Sequence, residues 1–295
     1  MLPAITVVVP SVDAIQHQVE AAAAVAAAAV ALDPQLDQPD HHRAPFSLLL
    51  KHWGVDIAAA LVASFGVSPF ITVVDRAIAE NASGRRTLMN GVKELSRSFV
   101  ERPLQFCKSR EFLWIFGLYS ATYATANSVG SYYEWKEADG QMPKLLATTA
   151  VNMSLVIAKD KAFAQMFGVT KTHKFPVTSM GLFAVRDALT VVSCFHAPKI
   201  IMEHLREQGM NEKLATGLSQ IGAPVAVQFA STPLHLLGLD LYNHPVADRA
   251  ARIQFIQREY WRSSLARVAR IGPAFGIGGI GNTSFRQHMR ARLSG

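Results

Sequence analysis

Charge is what this sequence has least of. Only 17% of its 295 residues are Asp, Glu, Lys or Arg, against about 25% in an ordinary soluble domain. Yet the formal net charge is +7, so the basic residues stand out in a background poor in ions. Cysteine is nearly missing as well: Cys107 and Cys194 are the whole complement, which excludes a disulfide scaffold. The histidines are scattered, and His41-His42 has no second ligand pair at metal spacing, so no metal centre is expected. Nucleophile constellations are lacking. The glycine-rich run Gly276-Ile277-Gly278-Gly279-Ile280-Gly281 lies outside any βαβ pattern, so neither an enzyme nor a bound cofactor is expected. The basic residues are not interleaved with aromatics as on nucleic-acid surfaces, and no nucleic-acid partner is expected.

What is present is apolar length. Hydrophobic residues make up 50% of the chain and mean hydropathy is +0.18, which excludes disorder over most of it. Six segments approach the roughly 20 apolar residues that cross a hydrocarbon core about 30 Å thick. They cover 55–74, 112–130, 145–158, 177–195, 214–239 and 265–284. Glycines interrupt them, among them Gly217, Gly222 and Gly276, as small residues do where membrane helices approach closely. Residues 1–45 differ: an Ala-rich run is followed by a polar stretch, with no Lys or Arg before Arg43. This reads as a flexible tail and neither as a basic secretory signal nor as an Arg-rich transit peptide.

Charge placement gives an independent reading. The first, third and fifth connections between these segments carry Arg85, Arg86, Lys93 and Arg97, then Lys159, Lys161, Lys171 and Lys174, then Arg249, Arg252, Arg258 and Arg262. The tails and even connections hold roughly balanced charge. Six spans with both termini on the less positive side satisfy that alternation. The expected architecture is therefore all-α and integral to a membrane, with lipid around it.

Self-comparison adds a pattern. Ser68-Pro69 is followed by Asp75-Arg76, and Ser231-Thr232-Pro233 by His235 and Asp240. Each is trailed by an amphipathic basic stretch, 85–99 and 249–260, and the sixth segment contains Arg267-Val268-Ala269-Arg270-Ile271-Gly272-Pro273. These features resemble the mitochondrial carrier family. The resemblance implies six transmembrane helices in three pseudo-repeated pairs: 46–140, a shortened 141–209, and 210–295. It also implies a small solute moved by alternating access across the mitochondrial inner membrane, the outer membrane being the other placement. Pro69, Asp75, Arg76, Lys159, Asp160, Pro233, His235 and Asp240 would then form the helix kinks and gate. The family's signature acid and base positions hold Ile71, Val74, His235 and Gly238 instead. That degeneracy leaves open an alternative, a carrier-derived adaptor or scaffold that has lost transport.

Charges inside apolar segments are the candidate site, because an ionisable residue at membrane depth costs about 2.5 to 3.5 kcal/mol unless it meets a partner or water. By the resemblance, Arg186 touches the substrate near the midplane. Asp187 either joins it or neutralises it. A guanidinium fork suits carboxylate or phosphate, so the expected substrate is a small anion. Arg270 lies three residues from Arg267 and shares its helix face, which makes Arg270 a third substrate-binding candidate. Arg267 itself is expected to snorkel to the interface, Asp56 to stabilise a helix N-terminus, and His235 to be a packed residue. Tyr132, Tyr133 and Trp135 read as an interfacial aromatic belt.

Overall fold

A computed structural model describes residues 45–169 and 175–294. The Ala-rich tail before Pro45, and Lys171 and Lys174 of the third connection, lie outside the described residues. Among those described there is no strand. The helices are α1 Phe46–Ala82, α2 Leu88–Glu101, α3 Pro103–Cys107, α4 Arg110–Trp135, α5 Gln141–Phe167, α6 Val177–Glu207, α7 Glu212–Asn243, α8 Arg249–Ala269, the single turn α9 Ile271–Pro273, a π-helical stretch Ala274–Ile280, and α10 Gly281–Ser294.

Local chemistry sets the boundaries. α1 stops at Gly84, whose φ of 72° only glycine adopts freely. The amide of Gly84 donates to the Asn81 carbonyl and that of Arg85 to the Glu80 carbonyl, the paired bonds of a Schellman ending. α4 ends the same way on Glu137, with φ of 54° and no glycine to relieve it. α2 buries Leu88, Gly91 and Leu95 at helical spacing and exposes Lys93, Glu94 and Arg97. It ends at Arg102, since the residue before Pro103 is pushed out of helical geometry. Asp248 caps α8 by accepting from the Ala251 amide at 2.8 Å.

The first five apolar segments each fall inside one long helix. The sixth does not. Pro273 cannot donate to residue 269, and Gly276, Gly278, Gly279 and Gly281 bring no side chains to hold regular winding, so 265–284 divides among the end of α8, α9, the π-helical stretch and α10. One helix among the described residues, α1, is long and apolar enough to cross a membrane by length and composition. The six-span reading is corrected to that extent: polar residues and charges inside α4 to α7 dilute their hydropathy.

The described chain divides into two compact units. Of the described residues, one unit takes in 45–65, 116–156 and 280–294, the other 66–115, 157–169 and 175–279. α1, α4 and α5 contribute residues to both. In the first, Leu49, Val55, Ala59, Ala60 and Ala63 form the core; in the second it is Val67, Ile71, Ile78, Phe112, Ile115, Phe163, Phe183 and Leu236.

α1 is sided in an unusual way. Asp56, Ser64, Ser68, Thr72 and Asp75 are all buried, while Ile57, Leu61, Phe65 and Phe70 are each 42–52% exposed. Water would favour the opposite arrangement, whereas a lipid surround favours apolar groups outside and polar groups facing other helices.

Candidate functional site

In the second unit, charges from several helices meet in the interior. α1 supplies Asp75, α5 supplies Lys159 and Asp160, α6 supplies Arg186 and Asp187, and the C-cap of α8 supplies Arg270. Lys159 Nζ lies 2.7 Å from Asp75 Oδ2 and 2.5 Å from Asp160 Oδ1. Arg270 pairs with the other oxygen of Asp75. Arg186 Nη1 lies 2.6 Å from Asp160 Oδ2, and Arg186 Nη2 lies 2.7 Å from Asp187 Oδ1. The sequence of contacts is thus Arg270, Asp75, Lys159, Asp160, Arg186, Asp187, with sign alternating at each step.

His235 of α7 joins at Arg186, whose Nη1 lies 2.7 Å from His235 Nδ1. A guanidinium can only donate, so Nδ1 accepts and the ring proton sits on Nε2. Phe183 lies under both, 5.2 Å from the Arg186 guanidinium and 5.5 Å from the imidazole. Gly238, one turn beyond His235, faces the same ring: a Cβ there would lie 2.5 Å from Phe183 Cε1. The missing base at 238 is therefore a packing requirement.

Seven of the candidate residues come together here: Asp75, Lys159, Asp160, Arg186, Asp187, His235 and Arg270. The others stand in separate pairs. Arg76 pairs with Glu80 and Glu111 and stacks over Phe167. Asp240 pairs with Arg252 at 2.6 Å and His244 at 2.9 Å. Pro69 is buried inside an uninterrupted α1. Pro233 likewise lies inside α7. Proline at 233 removes the amide that would bond to the Phe229 carbonyl. Tyr260 replaces it, its hydroxyl donating to that carbonyl at 3.2 Å.

Two arrangements escaped the sequence. Arg267 does not snorkel: it is 4% exposed and donates to Thr232 Oγ1 and Ser231 Oγ at 3.0 Å each. Asp56 is not a helix-end carboxylate. In the first unit it is fully buried and held by two residues of α10, Arg286 Nε at 2.7 Å and Arg290 Nη2 at 3.2 Å, with Ser131 also donating to it. Arg290 further reaches Glu134 at 2.6 Å. Beside this cluster Asn127 and Asn282 exchange side-chain hydrogen bonds of 2.8 and 3.0 Å. The signal was present in Arg286 and Arg290, four apart and on one face of a helix, but their partner lies 230 residues away.

Helices that bury charge and expose hydrocarbon define a membrane protein with a polar interior, the class in which ionisable groups mark solute pathways. Residues 59–290 match the family model described as "Probable citrulline exporter". The chain belongs to that family, and membership makes it a membrane solute transporter, not an enzyme. No curated protein and no solved structure matches the chain. The family match overturns the resemblance to mitochondrial carriers, and with it the support for a mitochondrial inner membrane. Physically, Pro69 and Pro233 each lie inside a continuous helix, so a proline followed by charge does not by itself mark a carrier's broken helices.

Proposed function

We propose that this chain exports citrulline, or an amino acid close to it, across a membrane by alternating access, and that the charge sequence of the second unit is the part that opens and re-forms as the solute passes. The observation that supports this is the alternation itself. Lys159, Asp160 and Arg186 each contact two opposite charges, so each can release one neighbour while keeping the other. Buried ion pairs that break without replacement cost several kcal/mol. A solute that supplies charge at that moment lowers the cost.

The expected small anion gives way to a zwitterion, because the description of the matching family names citrulline, an amino acid. An amino acid brings one carboxylate and one ammonium, and each end needs a partner of opposite charge in the site. Asp187 is the candidate acceptor for the ammonium: Oδ1 is held by Arg186, while Oδ2 is buried and has no hydrogen-bond partner among the described residues. Arg186, with Asp160, Asp187 and His235 around it, positions Asp187.

The test is efflux from proteoliposomes loaded with labelled citrulline. Saturable efflux is expected, competed by unlabelled citrulline at least tenfold better than by succinate or a diamine, and reduced at least tenfold by Asp187→Asn. Flux no greater than from empty liposomes, or flux indifferent to Asp187→Asn, would overturn the reading.

A further inference from the structure

Every cation of the charge sequence described above has a carboxylate. Lys159 has Asp75 and Asp160, Arg186 has Asp160 and Asp187, and Arg270 has Asp75. Arg267 differs. Among the described residues it has no carboxylate within ion-pairing distance, only the hydroxyls of Ser231 and Thr232. The charges it feels are Arg186 and Arg270 of like sign and Asp160 and Asp187 of opposite sign. Asp160 and Asp187 are already engaged by Lys159 and Arg186, so Arg267 is a buried cation with no counter-charge paired to it among the described residues. A buried charge without its counter-charge is among the most costly things a protein can keep.

Its surroundings have hydrogen-bonding capacity to spare. Ser263 and Ser264 stand one turn before Arg267 on the same face of α8, both fully buried, and neither hydroxyl has a hydrogen-bond partner among the described residues. On α7, one turn before Ser231 and Thr232, Gln228 donates to the Pro224 carbonyl while its Oε1 is buried and unpartnered. Thr232 passes its own proton to the Gln228 carbonyl at 2.6 Å. Two of the five guanidinium N–H donors of Arg267 are used by these hydroxyls. Donors therefore collect at Arg267, Ser263 and Ser264, and an acceptor at Gln228.

We infer that this place between α7 and α8 is the subsite for the solute's carboxylate. The carboxylate seats on the Arg267 guanidinium, a planar fork matched to two oxygens. The Ser263 and Ser264 hydroxyls donate to it, and Gln228 Oε1 accepts an N–H of the same solute. The inference deepens the proposal of amino-acid export and rests on it. It makes Arg267 a specificity-determining residue: it selects molecules with a free carboxylate and rejects those in which that group is capped.

The experiment measures binding and transport separately on the full chain, with citrulline and citrulline amide, in which the carboxylate is a neutral carboxamide. Thermal stabilisation of the purified protein reports binding, and proteoliposome efflux reports transport. Wild type is expected to bind citrulline at least tenfold tighter than the amide. Arg267→Gln should reduce that preference to about one, by weakening citrulline and leaving the amide unchanged. Arg267→Lys should keep part of it. The double variant Ser263→Ala with Ser264→Ala covers the case in which Arg267→Gln does not fold. Removing two unpartnered buried hydroxyls should leave the unliganded protein as stable as wild type, yet weaken citrulline several-fold. A retained preference for the acid in Arg267→Gln would overturn the inference, as would equal citrulline binding in the double serine variant. If wild type binds citrulline through Arg267 but moves none of it, the subsite stands and the export proposal falls.

Discussion

Asp56 and Asp75 are two buried carboxylates of one helix, and they are neutralised in different ways. Asp56 is closed in by Arg286 and Arg290 from the single helix α10, and that cluster reaches water through Glu134, whose side chain is 54% exposed. It is a clasp: breaking it leaves two arginines near enough to the surface to find solvent. Asp75 instead links Arg270, 26% exposed, to a sequence of alternating charges leading to groups that water barely touches, Asp160 at 3% and Arg186 at 5%. Each inner member there has two opposite partners, drawn from α1, α5, α6 and the C-cap of α8. The difference separates a contact that holds a helix in place from one that can exchange partners, and it explains why the second unit is proposed as the moving site.

The comparison can be broken by mutation. Asp160→Asn removes the anion that Lys159 and Arg186 share. It should lower the stability of the detergent-purified protein by about 3 kcal/mol, the lower end for stranding a buried charge, since each cation keeps one carboxylate. Adding Lys159→Met should recover part of that loss, because the second change removes one of the two under-compensated cations and leaves Asp75 paired with Arg270 and Asp187 with Arg186. Asp56→Ala should cost less, about 2 kcal/mol, because Arg286 and Arg290 can turn to water. Chemical denaturation of the three variants gives the order. A larger loss at Asp56 than at Asp160 would show the clasp to be the more isolated of the two.

How much of this could be read beforehand varied with distance along the chain. Helix content was legible because apolar runs bounded by charge are local, and five of six expected segments lie within a single helix. Arg186 and Asp187 were legible as candidates because charge inside an apolar run is conspicuous on its own, whereas Asp75, Lys159 and Asp160 were picked out only through the carrier resemblance that the family match overturned. Their mutual order was not legible, since which aspartate meets which base is decided by helix packing. Arg267 was misjudged for the same reason: a position near the start of an apolar segment suits snorkelling, and only the approach of Ser231 and Thr232 from α7 shows it buried. The sixth segment was misjudged because hydropathy is blind to winding, and Pro273 with its glycines changes the winding.

A milder change sharpens the picture of the clasp. Glu137 ends α4 three residues after Glu134, with φ of 54°. An L-residue in that conformation costs about 1 kcal/mol relative to glycine. Glu137→Gly should therefore raise stability by about that amount, read as a shift in the thermal midpoint, without altering citrulline binding. A fall in stability would mean that the Glu137 side chain contributes more than its backbone costs.

The smallest effect tests the claim that the clasp reaches water. Burial pushes the Glu134 carboxyl up, but the hydrogen bond from Arg290 and the charges of Arg286 and Arg290 outweigh it and hold the group below its ordinary value. A carboxylate depressed in the folded state stabilises fully above its unfolded value, about pH 4.3, and that contribution disappears as pH falls through the lower folded value. Acidification should therefore cost wild type more than Glu134→Gln, and the gap between their thermal midpoints should narrow below about pH 4.5. High salt at neutral pH should narrow it too, because a half-exposed pair is screened. The destabilisation by Asp160→Asn should not move with salt, since its partners are out of reach of mobile ions. Equal salt sensitivity at the two sites would erase the distinction between the clasp and the charge sequence of the second unit.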